Sequence, residues 1–143
     1  MVIGPFKGEF GFLSNMFIAP FLIDGVRYSS VENYYQSNKC YNEVDRVRLR
    51  ECSPYYAKKE VRMVLLFDNW VEMREHFMAR GIFAKFSQNR NLNKLLKNTG
   101  DAKLVELNYW HDNFWGDCTC KKCRNVKGMN KLGRMLMDVR LSI

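Results

Sequence analysis

A chain of 143 residues that is 47% hydrophobic and carries a net charge of +8 suits one folded domain spanning 1–143, because chains of this size bury about two-thirds of their unfolded surface. The longest unbroken apolar run, Met63 to Phe67, is far too short to cross a bilayer, and the N-terminus shows no basic start followed by a long apolar stretch. A membrane span is therefore excluded and a cytoplasmic protein is expected. Five cysteines, three of them within six residues, do not make the paired framework of a small secreted domain, so reduced thiols or a metal are expected rather than disulfides. The positive charge favours polyanions such as nucleic acid or phosphorylated ligands.

The first segment is β-like. "FLIDGVRYSS" places Asp24-Gly25 between two short apolar runs, which predicts a hairpin. The period then changes: "SSVENYYQSNKCY" offers Ser29 or Ser30 as N-cap and Glu32 in the first turn, predicting a helix from Ser30 to Tyr41. "VDRVRLRE" is compatible with a helix, and "SPYYAKKEVRMVLLF" starts another with Ser53 as cap and Pro54 at the first helical position, where a missing N–H costs nothing. In "DNWVEMREHFMARGIFAKFSQN", Trp70, Met73, Phe77 and Met78 recur at helical spacing as a core stripe. "NRNLNKLLKNTGD" reads as a short amphipathic helix stopped by Gly100. Leu132, Met135, Leu136 and Val139 stripe a final helix with Asn130 as its candidate cap. The sum is a mainly α domain with a small N-terminal β-hairpin or sheet.

On the first of these helices Glu32, Gln36 and Lys39 stand at i, i+4 and i+7, with Tyr35 beside them, so a regular helix would present them on one face. Such a face is either solvated, with a weak charge network, or a catalytic row. In a partly dry cleft a carboxylate and an amine can divide acid/base and nucleophilic duties, and a lysine so placed can attack the anomeric carbon of a sugar. Further along, Cys118, Cys120 and Cys123 form C-x-C-x2-C, able to place three thiolates round one tetrahedral zinc. A fourth ligand would have to come from His111, Cys40, Cys52 or a partner. Lys121, Lys122 and Arg124 favour thiolates by their charge, which suits a metal site or a reactive redox loop equally. Three reduced cysteines in a surface loop are the alternative. His76 is expected to be an ordinary histidine of its helix, and Trp110 and Phe114 loop anchors.

Seven blocks, "FGFLSNM", "YSSVENYYQSNK", "SPYYAKKEVR", "AKFSQN", "LLKNTGDAKLVE", "DNFWG" and "NKLGRMLMDVR", resemble the NADAR family in order and spacing. The resemblance implies a compact, mostly helical NADAR-like fold and hydrolysis of N-glycosidic bonds. The implied substrates are ADP-ribose attached to the guanine amino group of nucleic acid, or phosphorylated ribosylamino-pyrimidine intermediates of riboflavin synthesis. It also implies catalytic roles for Glu32, Lys39 and Asp112, and substrate contacts for Ser14, Asn15, Tyr35, Gln36, Trp70, Trp115 and Asn130. No cofactor is implied for catalysis; Cys118, Cys120 and Cys123 with His111 stand as a structural zinc site at most. This chain departs from the family pattern at Val61, where a glycine usually precedes the arginine, at Asn69 before Trp70, and in the cysteine segment between Gly116 and Asn130. A non-catalytic ADP-ribose or nucleic-acid binding module is the reading of another class, and the joint presence of Glu32, Lys39 and Asp112 weighs against it.

Overall fold

The structure, a computed structural model, describes all 143 residues, Met1–Ile143. In chain order its elements are β1 (Val2–Ile3), a 3-10 turn at Gly8–Leu13, β2 (Phe21–Ile23), β3 (Val26–Tyr28), α1 (Val31–Ser37), α2 (Glu43–Glu51), α3 (Pro54–Glu60), α4 (Trp70–Gln88), α5 (Arg90–Asn98), β4 (Lys103–Leu104), β5 (Leu107–Asn108), β6 (Asp117–Cys118) and α6 (Lys131–Ser142). Short 3-10 turns at Val61–Met63 and Lys121–Cys123 complete the list. Helices dominate and the strands are short, as the sequence predicts. The chain packs as two compact units: Asn15–Arg90, and Met1–Ser14 together with Asn91–Ile143.

In the unit Asn15–Arg90, β2 and β3 form the expected hairpin, with Ile23 opposite Val26 across Asp24-Gly25. Both turn residues have positive φ, 52° and 78°, as the tightest right-twisted hairpins require. Helix α1 packs against α2, α3 and α4. Ser30 caps α1 through its hydroxyl, which accepts from Asn33 N–H at 3.0 Å. The fully buried Asn33 amide then donates to the carbonyls of Leu49 and Cys52, at 2.9 and 2.8 Å. These bonds tie the buried helix to the end of α2 without leaving a buried amide unpaired. Ser53 and Pro54 start α3 as expected, with Tyr56 N–H on the serine hydroxyl. That helix is shorter than the sequence suggests: it ends at Glu60, tightens into the 3-10 turn, and the run Val64 to Phe67 is extended, with Leu66 bridged to Cys40.

The unit of Met1–Ser14 and Asn91–Ile143 holds two parallel strand pairs that the sequence did not announce. Val2 and Ile3 pair with Lys103 and Leu104, and Leu107 and Asn108 pair with Asp117 and Cys118. Pairs of two residues are too short for hydrophobic alternation to register. Helix α5 stops as predicted, at Gly100 with φ +62°. Helix α6 lies on β4 with Leu132, Leu136 and Val139 buried, and Arg140 donates to Thr99 Oγ1 and the Ala102 carbonyl at 2.8 and 2.9 Å.

One glycine of α6 is there for space. A Cβ on Gly133 would collide with the Leu104 carbonyl and the Asn130 side chain, so α6 could not approach β4 as it does. Alanine would be favoured over glycine in a helix by about 1 kcal/mol on propensity alone. Gly133→Ala is nevertheless expected to destabilise the protein by about 1–3 kcal/mol, read as a lowered urea midpoint. A raised midpoint would show that the contact is not needed.

Candidate active site

Every residue of α1 is buried, which rules out the solvated-face reading of the Glu32 row. Glu32 is 7% and Gln36 5% exposed, and Gln36 Nε2 donates to Glu32 Oε1 at 2.6 Å. The i, i+4 spacing is thus used as a buried carboxylate–amide pair. Gln36 Oε1 is buried with no hydrogen-bond partner. A buried acceptor left in this state costs on the order of 1–3 kcal/mol, and a substrate hydroxyl or amino group would relieve it. Asn15 supports the start of the helix: its carbonyl accepts from Glu32 N–H at 3.1 Å, while its own amide rests on Met78 Sδ at 3.3 Å.

Lys39 reaches the group by a different route from the one its spacing suggests. α1 ends at Ser37, and Asn38 folds its amide back onto the Tyr34 carbonyl at 2.7 Å. The next residues join the extended Val64–Phe67 run, with Phe67 N–H on the Lys39 carbonyl and Tyr41 N–H on the Leu65 carbonyl. The helix predicted to reach Tyr41 therefore stops four residues short, and Lys39 comes from a turn. Its Nζ lies 4.6 Å from the centre of the Tyr35 ring and 5.6 Å from that of Trp70, which cross edge to face at 5.1 Å. Burial among these groups lowers the Lys39 ammonium from its usual range to about 8; the Glu32 charge pulls it back up and Arg74 pushes it down. A lysine in this state carries a sizeable neutral fraction near physiological pH.

The other predicted residues lie in the second unit. Asp112 Oδ1 accepts from the backbone N–H groups of Phe114 and Trp115, at 3.1 and 2.9 Å. Its own main chain is gripped by Asn108, which donates to the Asp112 carbonyl at 2.8 Å and accepts from its N–H at 3.1 Å. Asp112 thus shapes a tight turn with one oxygen and leaves Oδ2 outside it. Trp115 is half-buried, edge to face with Phe114 at 4.7 Å, and its carbonyl receives Leu132 N–H. Gly116 follows because a Cβ there would strike the Glu106 carbonyl. Ser14 ends the first 3-10 turn, its N–H on the Gly11 carbonyl. Asn130 stands at the N-cap position of α6 in a left-handed conformation, φ +50°, but its side chain does not cap. Instead its amide bridges the Leu104 carbonyl and Glu106 N–H, at 2.9 and 3.0 Å. With both polar ends spent on main chain, it braces α6 against β4.

Two features escaped the sequence reading. Lys85, in the "AKFSQN" block, is 1% exposed, and burial alone lowers its ammonium to about 7, with the Phe86 and Phe17 rings 4.9 and 5.6 Å away. A lysine between Ala84 and Phe86 on an otherwise apolar helical stretch was the available signal. The second is a cavity of about 420 Å³ in the unit Asn15–Arg90, lined by Arg46, Arg50 and Arg80 beside Tyr28, Tyr34 and Phe77. Asp24 and Glu43 also line it, pairing with Arg80 at 3.4 Å and Arg46 at 3.5 Å. Its arginines come from α2 and α4, which sequence order keeps apart.

The sequence matches the NADAR domain over residues 4–143, and the chain belongs to that family, whose relatives are hydrolases acting on N-glycosyl bonds. Among those relatives, N-glycosidase YbiA of Escherichia coli strain K12 is 35% identical over 135 residues, covering 92% of this chain and 81% of YbiA. Riboflavin biosynthesis protein VVA0006 of Vibrio vulnificus is 33% identical over 138 residues, 91% of this chain but 35% of that longer protein. The NMR structure of E. coli YbiA superimposes with a TM-score of 0.83 at 32% identity, covering 99% of this chain and 83% of that one. The helical fold and family expected from the sequence are therefore established. No helix is long and apolar enough to cross a membrane.

Proposed function

We propose that this protein is an N-glycosidase that hydrolyses the C1–N bond between ADP-ribose and the guanine amino group in nucleic acid. The observation that carries the glycosidase reading is the buried Glu32–Gln36 pair with the desolvated Lys39 amine, in a family of proteins named N-glycosidases. Breaking a C1–N bond develops positive charge on the ribose, which a carboxylate stabilises, and requires a proton on the departing nitrogen. Protonated Glu32 supplies the proton, and the carboxylate this leaves stabilises the charge and then acts as base toward water. When the ribose ring opens, C1 is held to the guanine nitrogen as an imine. The neutral Lys39 amine adds to C1, the C1–N bond to guanine breaks as that nitrogen takes a proton and leaves as the amino group, and a Schiff base between Lys39 and C1 replaces it. Water then hydrolyses that imine, returning free lysine and ADP-ribose. The net reaction consumes one water and requires no cofactor. Tyr35 and Trp70 wall the amine, Gln36 Oε1 accepts from the substrate, and Asp112 and Trp115 are carried over from the D-x-x-W-G block as contacts to ribose and base. The joint presence of Glu32, Lys39 and Asp112 weighs against a pure binding module, which has little need for that acid and amine.

Nucleic acid is favoured over a small glycoside by the net charge of +8 and the arginines at the cavity on α2 and α4. A strand's backbone phosphates would lie on such a surface. The second reading, hydrolysis of phosphorylated ribosylamino-pyrimidine intermediates, is favoured by the names of the Vibrio relative and of the maize riboflavin biosynthesis protein PYRR, chloroplastic, 32% identical over 134 residues. Incubation with a guanine-ADP-ribosylated oligonucleotide is expected to release ADP-ribose, while the riboflavin intermediate is left intact; the opposite pattern establishes the second reading. Arg50→Glu with Arg80→Glu is expected to weaken oligonucleotide binding on the order of 10-fold at low salt and to flatten its salt dependence. Unchanged affinity would remove this face from substrate recognition. The five free thiols suit the reducing cytoplasm.

A further inference from the structure

We propose that His111, Cys118, Cys120 and Cys123 bind one structural zinc ion, and that this ion fastens the turn carrying Asp112 and Trp115. The ligand atoms of these four residues all lie within 4.8 Å of one another. His111 Nδ1 is 3.2 Å from Cys120 Sγ and 3.5 Å from Cys123 Sγ. A tetrahedral zinc with Zn–S of about 2.3 Å and Zn–N of about 2.0 Å has edges of roughly 3.5–3.8 Å between its ligands, so the four atoms need move little to receive it. The other two cysteines are excluded as ligands by their surroundings. Cys40 is buried in an apolar cluster with Leu49 and Ala57, Cys52 packs on that cluster, and their thiols donate to the carbonyls of Gln36 and Leu49.

The backbone around the four residues is arranged for thiolates. The N–H groups of His111 and Cys120 both point at Cys118 Sγ, at 3.3 and 3.5 Å, the outer-shell bonds that steady a metal-bound sulfur. A tight turn closes Cys120 to Cys123, with Cys123 N–H on the Cys120 carbonyl at 3.1 Å. His111 has φ +72°, a left-handed conformation that costs a non-glycine residue energy and persists only where its surroundings demand it. In that conformation its Nδ1 meets the cysteines. Three thiolates and a neutral imidazole are a soft, closed tetrahedral set, which selects zinc over magnesium or calcium and leaves no open position for chemistry.

The position of the ligands gives the ion its role. His111 immediately precedes Asp112, and Cys118 sits two residues past Gly116, so a metal joining them closes a ring round the D-x-x-W-G turn. Asn113 reinforces the ring, its Oδ1 accepting from Cys118 N–H at 2.9 Å and its carbonyl from Met129 N–H at 2.8 Å. Cross-linking short loops removes conformational freedom from both the unfolded chain and the open loop. The metal site stands on its own geometry; only its consequence for turnover rests on the proposed glycosidase activity.

Elemental analysis of protein purified without chelator is expected to give one zinc per chain. Cobalt(II) reconstitution should give the thiolate charge-transfer and visible bands of a tetrahedral site. Cys120→Ala and His111→Ala should each lose most of the zinc, while Cys52→Ala keeps it. Stripping the metal from the wild-type protein should lower the melting midpoint by roughly 5–10 °C and cut kcat/KM by about 100-fold through misplacement of the turn. Reduced wild-type protein that carries no metal and gives no cobalt bands overturns the site, and full zinc in both ligand variants overturns the assignment of ligands. Stripped protein with undiminished kcat/KM overturns the role in fastening the turn. Metal content and melting are read without substrate, so their failure is distinguishable from failure of the glycosidase reading.

Discussion

Glu32→Gln is expected to lower kcat by on the order of 10³-fold while ADP-ribose still binds, because proton transfer by a positioned group contributes about 10²–10⁴-fold. The substitution is nearly isosteric, and Gln36 Nε2 can still donate to a carbonyl oxygen at position 32, so the bond of 2.6 Å survives in a neutral form. α1 keeps its cap on Ser30 and its ties through Asn33, and the melting midpoint should stay close to that of the wild type. Single-turnover release of ADP-ribose, with calorimetric titration of ADP-ribose, separates the two effects. Retention of full activity would remove Glu32 as the acid and base. Loss of activity together with loss of binding would make it a binding group instead.

For Lys39 the expected result is a pH profile of kcat/KM that rises with pH and levels off above about 8. The sign follows from the chemistry: only the neutral amine attacks C1, and burial brings the ammonium down to about 8, so raising the pH through that value fills the reactive form. An amine that acted as a cation toward ribose hydroxyls would give a profile falling over the same range. Borohydride added during turnover should reduce the imine and leave a covalent sugar adduct on Lys39, located by peptide mass spectrometry. Lys39→Arg, a permanent cation, should form no adduct and lose at least about 10²-fold in rate. A turnover-competent enzyme that forms no adduct reduces Lys39 to a hydrogen-bonding role.

Where a feature depended on neighbours in the chain, the residues announced it. Asp24-Gly25 specified the hairpin because a two-residue turn needs positive φ at both positions, and Ser53-Pro54 and Gly100 marked helix ends through capping chemistry that acts within a turn. Glu32 and Gln36 were placed together by helical spacing, and they bond as that spacing requires. Lys39 shows the boundary of such reasoning. It belonged to the predicted row, yet it arrives from a turn, because bonds from Phe67 and Tyr41 draw the chain out of the helix.

The cysteine segment shows the same division. C-x-C-x2-C was visible as three thiols seeking a fourth ligand, and four candidates stood open. Folding chose among them by placing Cys40 and Cys52 in an apolar cluster and turning His111 onto the thiols through a left-handed backbone. Family, helical class and the pairing of Glu32 with Gln36 were written in the order of residues, since capping, periodicity and motif spacing are short-range. Whether the Glu32 row met water or protein, how far Lys39 was stripped of solvent and which of His111, Cys40 and Cys52 faced the three clustered cysteines were settled by packing. Desolvation and ligand geometry are set by residues remote in the chain, and no local pattern encodes them.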